Sequence, residues 1–423
     1  MLHVPATPHI VIIGGGFGGL FAARTFSGEA VRVTVLDRHN YHLFQPLLYQ
    51  VATASLSPAD VASPIRWVLR RQRNVDVLLA HALEIDVAAR TVALDRGDVV
   101  TYDYLILATG ASHSYFGHPE WAERAPGLKT LDDALEMRRR VLLAFEAAER
   151  ETDPAAQRRL LTFVIIGGGP TGVELAGALA EIARQSLLHD FRRIRPESAR
   201  ILLLEGSPHL LGAFPQPLQD AARASLTRLG VEVWIGAKVT DINADGVQVD
   251  NEHIPASTVL WAAGVAASPL AKSLGVPLDR AGRVLAEPTL AIPGHPEIFA
   301  VGDVCALQQD GQWLPGIAQF AMQGGAHAAR NVLRAIRGEP LRPFRYRDYG
   351  ILATIGRGHA VGVVFGSQIT GWFGWLFWLF LHIFWLIGFR NRIAVMSEWA
   401  WAYLTFQRRV RLITGGKQWP SEP

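Results

Sequence analysis

The residues spaced for chemistry in this chain are glycines, carboxylates and amides. Glycines stand at G-x-G-x-x-G spacing twice, as Gly14, Gly16, Gly19 and as Gly167, Gly169, Gly172. An acid follows each loop: Asp37 lies 23 residues past Gly14, and Glu205 lies 38 residues past Gly167. Another acid, Glu174, comes directly after the second loop, and two amides, Gln319 and Gln323, stand four apart. The first glycine of such a loop permits a tight turn, and the second lets backbone approach a pyrophosphate. The third lets helix and strand pack closely, so the phosphates rest on the helix N-terminus. A carboxylate about 20 residues on accepts hydrogen bonds from a ribose. Amides four apart share a helix face and can bond carbonyl oxygens without bringing charge into an apolar pocket. Two helical glutamines with no ligand would simply be solvated.

The elements that position these groups repeat. Each glycine loop follows a β-branched run, His9–Ile13 or Phe163–Ile166, and opens a helix-forming stretch. Asp103–Gly110 closes the first unit and Ser257–Gly264 the second, at nearly the same offset as the glycine loops. The spacing predicts a duplicated dinucleotide-binding fold. Expected strands cover Val31–Leu36, Val75–Leu79 and Arg200–Leu204, and helices cover Phe17 to about Thr25, Leu131–Arg150 and about Gly316–Ile336. The longer spacing before Glu205 is assigned to a basic helical insert around Arg184–Arg195. A carboxylate at Glu205 would repel a 2′-phosphate, which favours NADH over NADPH. Glu174 is placed in the first turn of its helix, where the dipole alone would favour an acid.

Composition sets further bounds. Charged residues make up 19% of the 423 and net charge is only +3, too little to argue for nucleic acid. Cys305 is the sole cysteine, so no intramolecular disulfide, C-x-x-C redox pair or cysteine zinc site can form. His39 and His42 lack acidic or cysteine partners for a metal, and none is expected. The first strand starts too early to leave room for a signal peptide, so the chain is expected on the cytoplasmic side.

The segment Asn40–Thr53, N-Y-H-L-F-Q-P-L-L-Y-Q-V-A-T, closely resembles that of type II NADH dehydrogenases, the single-subunit NADH:quinone oxidoreductases. The resemblance runs through nearly the whole chain. It implies FAD held by Gly14, Gly15, Gly16, Phe17, Gly18, Gly19, Asp37 and Arg38, with Gln45, Pro46, Ala82, Ala108, Thr109 and Gly110 along it. A second flavin motif, Glu297–Asp303, would supply Gly302 and Asp303, followed by Ala318 and Gln319. NADH would be held by Gly167, Gly169, Pro170, Thr171, Gly172, Glu174, Glu205, Ala263 and Gly264. The A-Q-x-A-x-Q motif, with Gln319 and Gln323, would meet the quinone, and Glu174 would handle protons. The implied reaction is NADH oxidation with two-electron reduction of a membrane quinone, without proton pumping.

The tail has its own composition. Seven of twelve tryptophans lie from Trp372 onward, and residues 390–417 hold Arg390, Arg392, Arg408, Arg409, Arg411 and Lys417 against Glu398. Trp372–Phe389 has one polar member, His382, and its length of roughly 27 Å is borderline for a bilayer. Trp372, Trp375, Trp378, His382 and Trp385 form a stripe suited to the headgroup level. On the next segment, Arg392–Ile413, Ile393, Met396, Trp399, Tyr403, Phe406 and Val410 share a face. Together they predict helices lying in the membrane interface on an anionic cytoplasmic leaflet, rather than a span. A homodimer interface is the alternative use, and both are compatible.

The fold expected is α/β, with two interleaved Rossmann-like domains resembling glutathione-reductase-type flavoproteins, plus C-terminal membrane-binding helices. Residues 1–115 and 286–345 would form the FAD domain, 116–285 the NADH domain and 346–423 the membrane-anchoring region. The competing reading is a flavoprotein like apoptosis-inducing factor, whose NADH-dependent state signals while turnover stays slow.

Overall fold

The computed structural model describes residues 7–387, 389–405 and 410–414. The chain divides into two compact units, each built from separated stretches. The first comprises Met1–Leu43, Ala62–Ser112 and Val265–Asp348; the second comprises Phe44–Val61, His113–Gly264 and Tyr349–Pro423.

The first unit is organised by a six-stranded sheet. Its order is Ala291–Ile292, His295–Ala300, Tyr104–Leu107, His9–Ile13, Arg32–Asp37, Val75–Leu79. All neighbours are parallel except the first pair. His9–Ile13 is buried at every position, as befits a central parallel strand covered on both faces. The strand His295–Ala300 pairs Ile298 with Leu105, so the chain returns to its first sheet after an excursion of about 190 residues. Helices Phe17–Thr25 and Ala318–Ile336 cross where Gly325 meets Gly18. A Cβ on Gly325 would lie 2.0 Å from the Gly18 carbonyl oxygen, so only glycine permits this approach.

The second unit has a four-stranded parallel sheet, ordered Val231–Ile235, Arg200–Glu205, Thr162–Ile166, Thr258–Trp261. Helix Leu131–Arg150 starts where expected, because Thr130 and Asp133 form a reciprocal capping box. The basic insert differs from the expected helix. Ile182–Ser186 forms one wide helical turn, and the chain then turns irregularly to Pro196–Ser198. Arg184 donates to the carbonyls of Gly230 and Ala199, while Glu149 accepts the backbone N–H groups of Arg192, Arg193 and Ile194. These contacts replace helical bonds, and much of the insert is therefore bound to the unit.

The end of the second unit carries a three-stranded antiparallel sheet, Gly350–Thr354, Ala360–Val364 and Ser367–Thr370. Helices Gly371–Trp385 and Phe389–Thr405 follow. No helix among the described residues is long and apolar enough to cross a membrane. The tryptophan stripe does not face outward as a whole: Trp378 is buried, its ring 4.3 Å from His382 and 5.5 Å from Trp399. Trp399 in turn donates its indole N–H to the Gln50 amide oxygen at 2.7 Å. The exposed face is instead Phe373, Leu376, Phe380 and Phe384, with Trp372 beside it. The second helix adds exposed Ile393, Met396 and Trp401. Trp399 thus has a buried amide partner, whereas the Trp378 indole N–H has none among the described residues, and Trp378 is placed by its ring contacts with His382 and Trp399. Arg408, Arg409, Lys417 and Phe406 lie outside the described residues, as do the side chains of Arg390 and Tyr403.

Candidate functional site

The two glycine loops are bonded alike, each within its own unit. In the first, the Gly14 N–H donates to the Leu36 carbonyl at 2.7 Å, and Ala108 N–H donates to Ile13 O at 2.8 Å. Gly14 has φ +104°, and a Cβ there would lie 2.3 Å from the Ala108 oxygen. In the second, Gly167 N–H donates to Leu204 O at 2.8 Å, Ala262 N–H donates to Ile166 O at 2.7 Å, and Gly167 has φ +112°.

The acids are held by the same device. Asp37 accepts the Gly15 N–H on one oxygen at 2.6 Å and the His39 N–H on the other at 2.7 Å. Glu205 accepts the Gly168 N–H at 2.5 Å and the Ser207 N–H at 2.7 Å. Each carboxylate is thus tied to the middle glycine of its loop and to the residue two beyond itself. A carboxylate has about four acceptor positions, which leaves capacity for ribose hydroxyls. The long spacing before Glu205 makes no difference, since the insert leaves the strand in register and Glu205 pairs with Ile235.

Space and unmet polarity at the first loop fit a dinucleotide. A Cβ on Gly16 would meet nothing within 4 Å, and the buried Thr109 hydroxyl has no protein partner. Gly110 has φ +67° and continues the turn that carries Thr109. Asp303 stands on a single turn, Gly302–Val304, with its carboxylate toward Gly316. Helix Ala318–Ile336 then begins with no side chain capping it and no acid in its first turn. Phe17 opens the first helix, Arg38 is exposed, and Ala82 is buried at the start of a strand. Gln45 and Pro46 form a short turn in the second unit, where the Gln45 amide donates to Lys129 O at 3.1 Å.

In the second unit, Pro170 is the first residue of helix Pro170–Glu181, followed by Thr171 and Gly172. A Cβ on Gly169 would meet nothing within 4 Å, the same open position as Gly16. Ala263 and Gly264 follow the strand Thr258–Trp261, and the Gly264 carbonyl accepts the Ser114 N–H at 3.3 Å. Glu174 is the fifth helical residue rather than a first-turn acid, so the dipole does little for it. Its carboxyl is buried, and its one described bond is from the Thr354 N–H at 3.5 Å. Burial pushes its pKa well above the usual carboxylate range, and the Thr354 N–H opposes this only weakly.

Gln319 and Gln323 project from the first turns of helix Ala318–Ile336 and both meet the extended segment 342–348. The Gln323 amide donates to Arg347 O at 2.8 Å and accepts the Arg347 N–H at 3.0 Å. The expectation of an amide open to a ligand therefore changes: both ends of Gln323 grip backbone. Gln319 Oε1 receives the Tyr346 hydroxyl at 3.4 Å.

This chain is similar to known proteins. The family profile described as pyridine nucleotide-disulphide oxidoreductase matches residues 8–325. The type II NADH:quinone oxidoreductase Ndh of Mycobacterium tuberculosis is 43% identical over 97% of this chain and 91% of its own length. Its counterpart NdhA from the same organism is 44% identical, over 96% and 89%. This chain belongs to the type II NADH:quinone oxidoreductases. NDH2 of Plasmodium falciparum, solved in complex with NADH, shares the fold at a TM-score of 0.87, with 20% identity over 97% of this chain and all of that one.

For a type II NADH:quinone oxidoreductase, the sequence reading left out several groups that touch the candidate residues. Tyr346, Gln309 and Asp348 surround Gln319 or fix its neighbours, and Thr354 reaches Glu174. None belongs to a motif with a mechanistic spacing. The one available signal was the aromatic-and-basic stretch Phe344–Tyr349, which is polar at alternate positions like an extended strap.

Proposed function

We propose that the chain catalyses FAD-dependent oxidation of NADH with two-electron reduction of a membrane quinone, without proton pumping. The observation that carries this is the repeated bonding of Asp37 and Glu205, which gives each unit one dinucleotide cradle. The first cradle, with Thr109 and Asp303, would hold FAD, and the second would hold NADH. Domain limits of 1–115 and 286–345 for FAD and 116–285 for NADH remain part of this proposal, with 346–423 as the anchoring region. FAD, held by Gly14, Gly16, Asp37, Thr109 and Asp303, would supply the two-electron redox chemistry between the nicotinamide and the quinone.

The chain's own residues bind and orient. Asp37 and Glu205 position ribose hydroxyls, and the Glu205 charge disfavours the 2′-phosphate of NADPH. The uncapped N-terminus of helix Ala318–Ile336 favours negative charge near it. Gln319 is the candidate donor to a quinone carbonyl. Overall, NADH, quinone and one proton give NAD⁺ and hydroquinone; Glu174, whose burial favours the protonated carboxyl, is the candidate store. Positioning and electrostatics, not covalent attack, are the protein's contribution.

The apolar face of Phe373, Leu376, Phe380 and Phe384 supports peripheral attachment to a membrane; we assign it to the cytoplasmic side, with Arg392 near anionic headgroups. A homodimer could share this region.

The deciding experiment is anaerobic spectroscopy of the purified protein. NADH should bleach the flavin absorption and a quinone should restore it rapidly. Bleaching with slow recovery would instead favour the signalling flavoprotein, and absence of flavin would overturn the cofactor assignment.

A further inference from the structure

In the second unit the carboxyl ends of the parallel strands line one edge in a fixed order. Glu205 ends one strand, the glycine loop Gly167–Gly172 leaves the next, and Ala263 and Gly264 follow the third, Thr258–Trp261. A dinucleotide binds across the carboxyl ends of such strands. Glu205 takes the adenosine ribose, and the N-terminus of helix Pro170–Glu181 takes the pyrophosphate. The strand order then leaves the Gly264 end for the nicotinamide nucleoside.

Phe116 stands at that end. The Tyr115 carbonyl accepts the His118 N–H at 3.0 Å, closing a turn whose central residues, Phe116 and Gly117, have φ +51° and +97°. Turns with two positive φ angles ordinarily take glycine, asparagine or aspartate there, and a phenylalanine costs backbone energy. The residues before it pin the turn in place. Ser114 donates its N–H to Gly264 O at 3.3 Å, and its carbonyl accepts the Trp261 indole N–H at 3.1 Å. The Tyr115 ring lies 4.8 Å from that of Trp261, and its hydroxyl donates to Ala125 O at 2.9 Å. Gly264 lies against the Phe116 ring: a Cβ on it would fall 2.7 Å from Phe116 Cζ. Phe116 is nonetheless 66% exposed, so burial does not offset the strained turn.

We infer that Phe116 is a binding residue for the nicotinamide nucleoside of NADH, its ring forming an apolar wall beside Gly264. A neutral dihydronicotinamide ring and the ribose that carries it present apolar surface, which an aromatic side chain covers without needing a hydrogen bond. Glycine at 264 keeps this wall close to the strand end, since a methyl there would push the ring away. Contact with the substrate is what gives an exposed phenylalanine its use at a position suited to asparagine. The inference rests on the reading of the second cradle as the NADH site.

The test uses the full-length holoenzyme and two probes, NAD⁺ and ADP, the second of which lacks the nicotinamide nucleoside. Calorimetry gives both dissociation constants for wild type, Phe116→Asn and Phe116→Tyr. Melting temperature and the NADH concentration that half-saturates flavin reduction are measured beside them. In Phe116→Asn, NAD⁺ binding and NADH half-saturation should weaken by about fivefold, with ADP binding unchanged. Its melting temperature should hold or rise, because asparagine accepts the positive φ. Phe116→Tyr keeps the ring and should match wild type. Unchanged NAD⁺ binding in Phe116→Asn, or an equal loss of ADP binding, overturns the inference. A wild-type protein that binds neither NAD⁺ nor ADP would instead overturn the second cradle as the NADH site, and this inference with it.

Discussion

Gln323 and Arg347 are joined as two strands are joined, the side-chain amide of one exchanging both hydrogen bonds with the backbone of the other, at 2.8 and 3.0 Å. A residue expected to face the quinone is therefore engaged in holding the strap beside Gln319.

Substituting Gln323→Leu should act on the strap first. Two bonds in a partly wetted setting contribute about 1–2 kcal/mol, so thermal unfolding should fall by a few degrees. Quinone KM should rise severalfold while reduction of the flavin by NADH stays normal. Unaltered quinone kinetics would show that neither Gln323 nor the strap serves the quinone.

The twin acids should separate the two cofactors. Asp37→Asn places an amide NH₂ against a backbone N–H, and the protein should lose flavin on gel filtration, seen as flavin fluorescence in the small-molecule fraction. Glu205→Gln should keep its flavin but raise the KM for NADH roughly tenfold or more, the scale of a hydrogen bond to a charged group. The NADPH-to-NADH ratio should increase, because the charge that repels the 2′-phosphate is gone.

Glu174 gives a pH dependence whose sign follows from burial. Its folded pKa lies well above the ordinary 4.5, so the folded state binds more protons than the unfolded chain above that pH. Stability from this group is fully present below about pH 4.5 and is lost progressively as pH rises toward the folded pKa. Glu174→Gln, which stays neutral, should unfold at a higher temperature than wild type at pH 8 and at the same temperature near pH 4. Parallel melting curves across that range would contradict a buried, protonated carboxyl. Turnover should fall in the same variant if the proton is used.

The tail offers a contrast between exposed and buried aromatics. Phe380→Asp with Phe384→Asp should leave melting temperature nearly unchanged, since both rings are more than half exposed, yet cut sedimentation with anionic vesicles at least tenfold. Trp378→Ala should do the reverse. It empties a buried site beside His382 and Trp399 and should cost about 3–5 kcal/mol. Vesicle binding untouched by the double substitution would remove the membrane role from this face.

Gly325→Ala addresses the helix crossing. The added methyl would fall 2.0 Å from the Gly18 oxygen, so the helices would have to separate, at a cost of about 1–3 kcal/mol. Because Gly18 belongs to the first glycine loop, flavin retention should drop along with the melting temperature. Wild-type retention would mean the loop tolerates the shift.

The sequence by itself determined the elements whose signals are local. A β-branched run ending in Gly14 or Gly167 dictates strand, turn and helix through neighbouring backbone geometry, and Asp37 and Glu205 end strands that the same periodicity delimits. The helix Leu131–Arg150 was legible from its apolar spacing, with the Thr130 cap just before it. What only the tertiary structure decided depends on partners far along the chain. Glu174 is raised in pKa because the strand Gly350–Thr354 covers it, and Gln323 is engaged because the strap 342–348 returns across its helix. Trp378 turns inward because Trp399, itself bonded to Gln50 some 349 residues away, lies beside it. Burial and side-chain pairing arise from which surfaces meet, and helical spacing specifies only which residues share a face, not which face is covered.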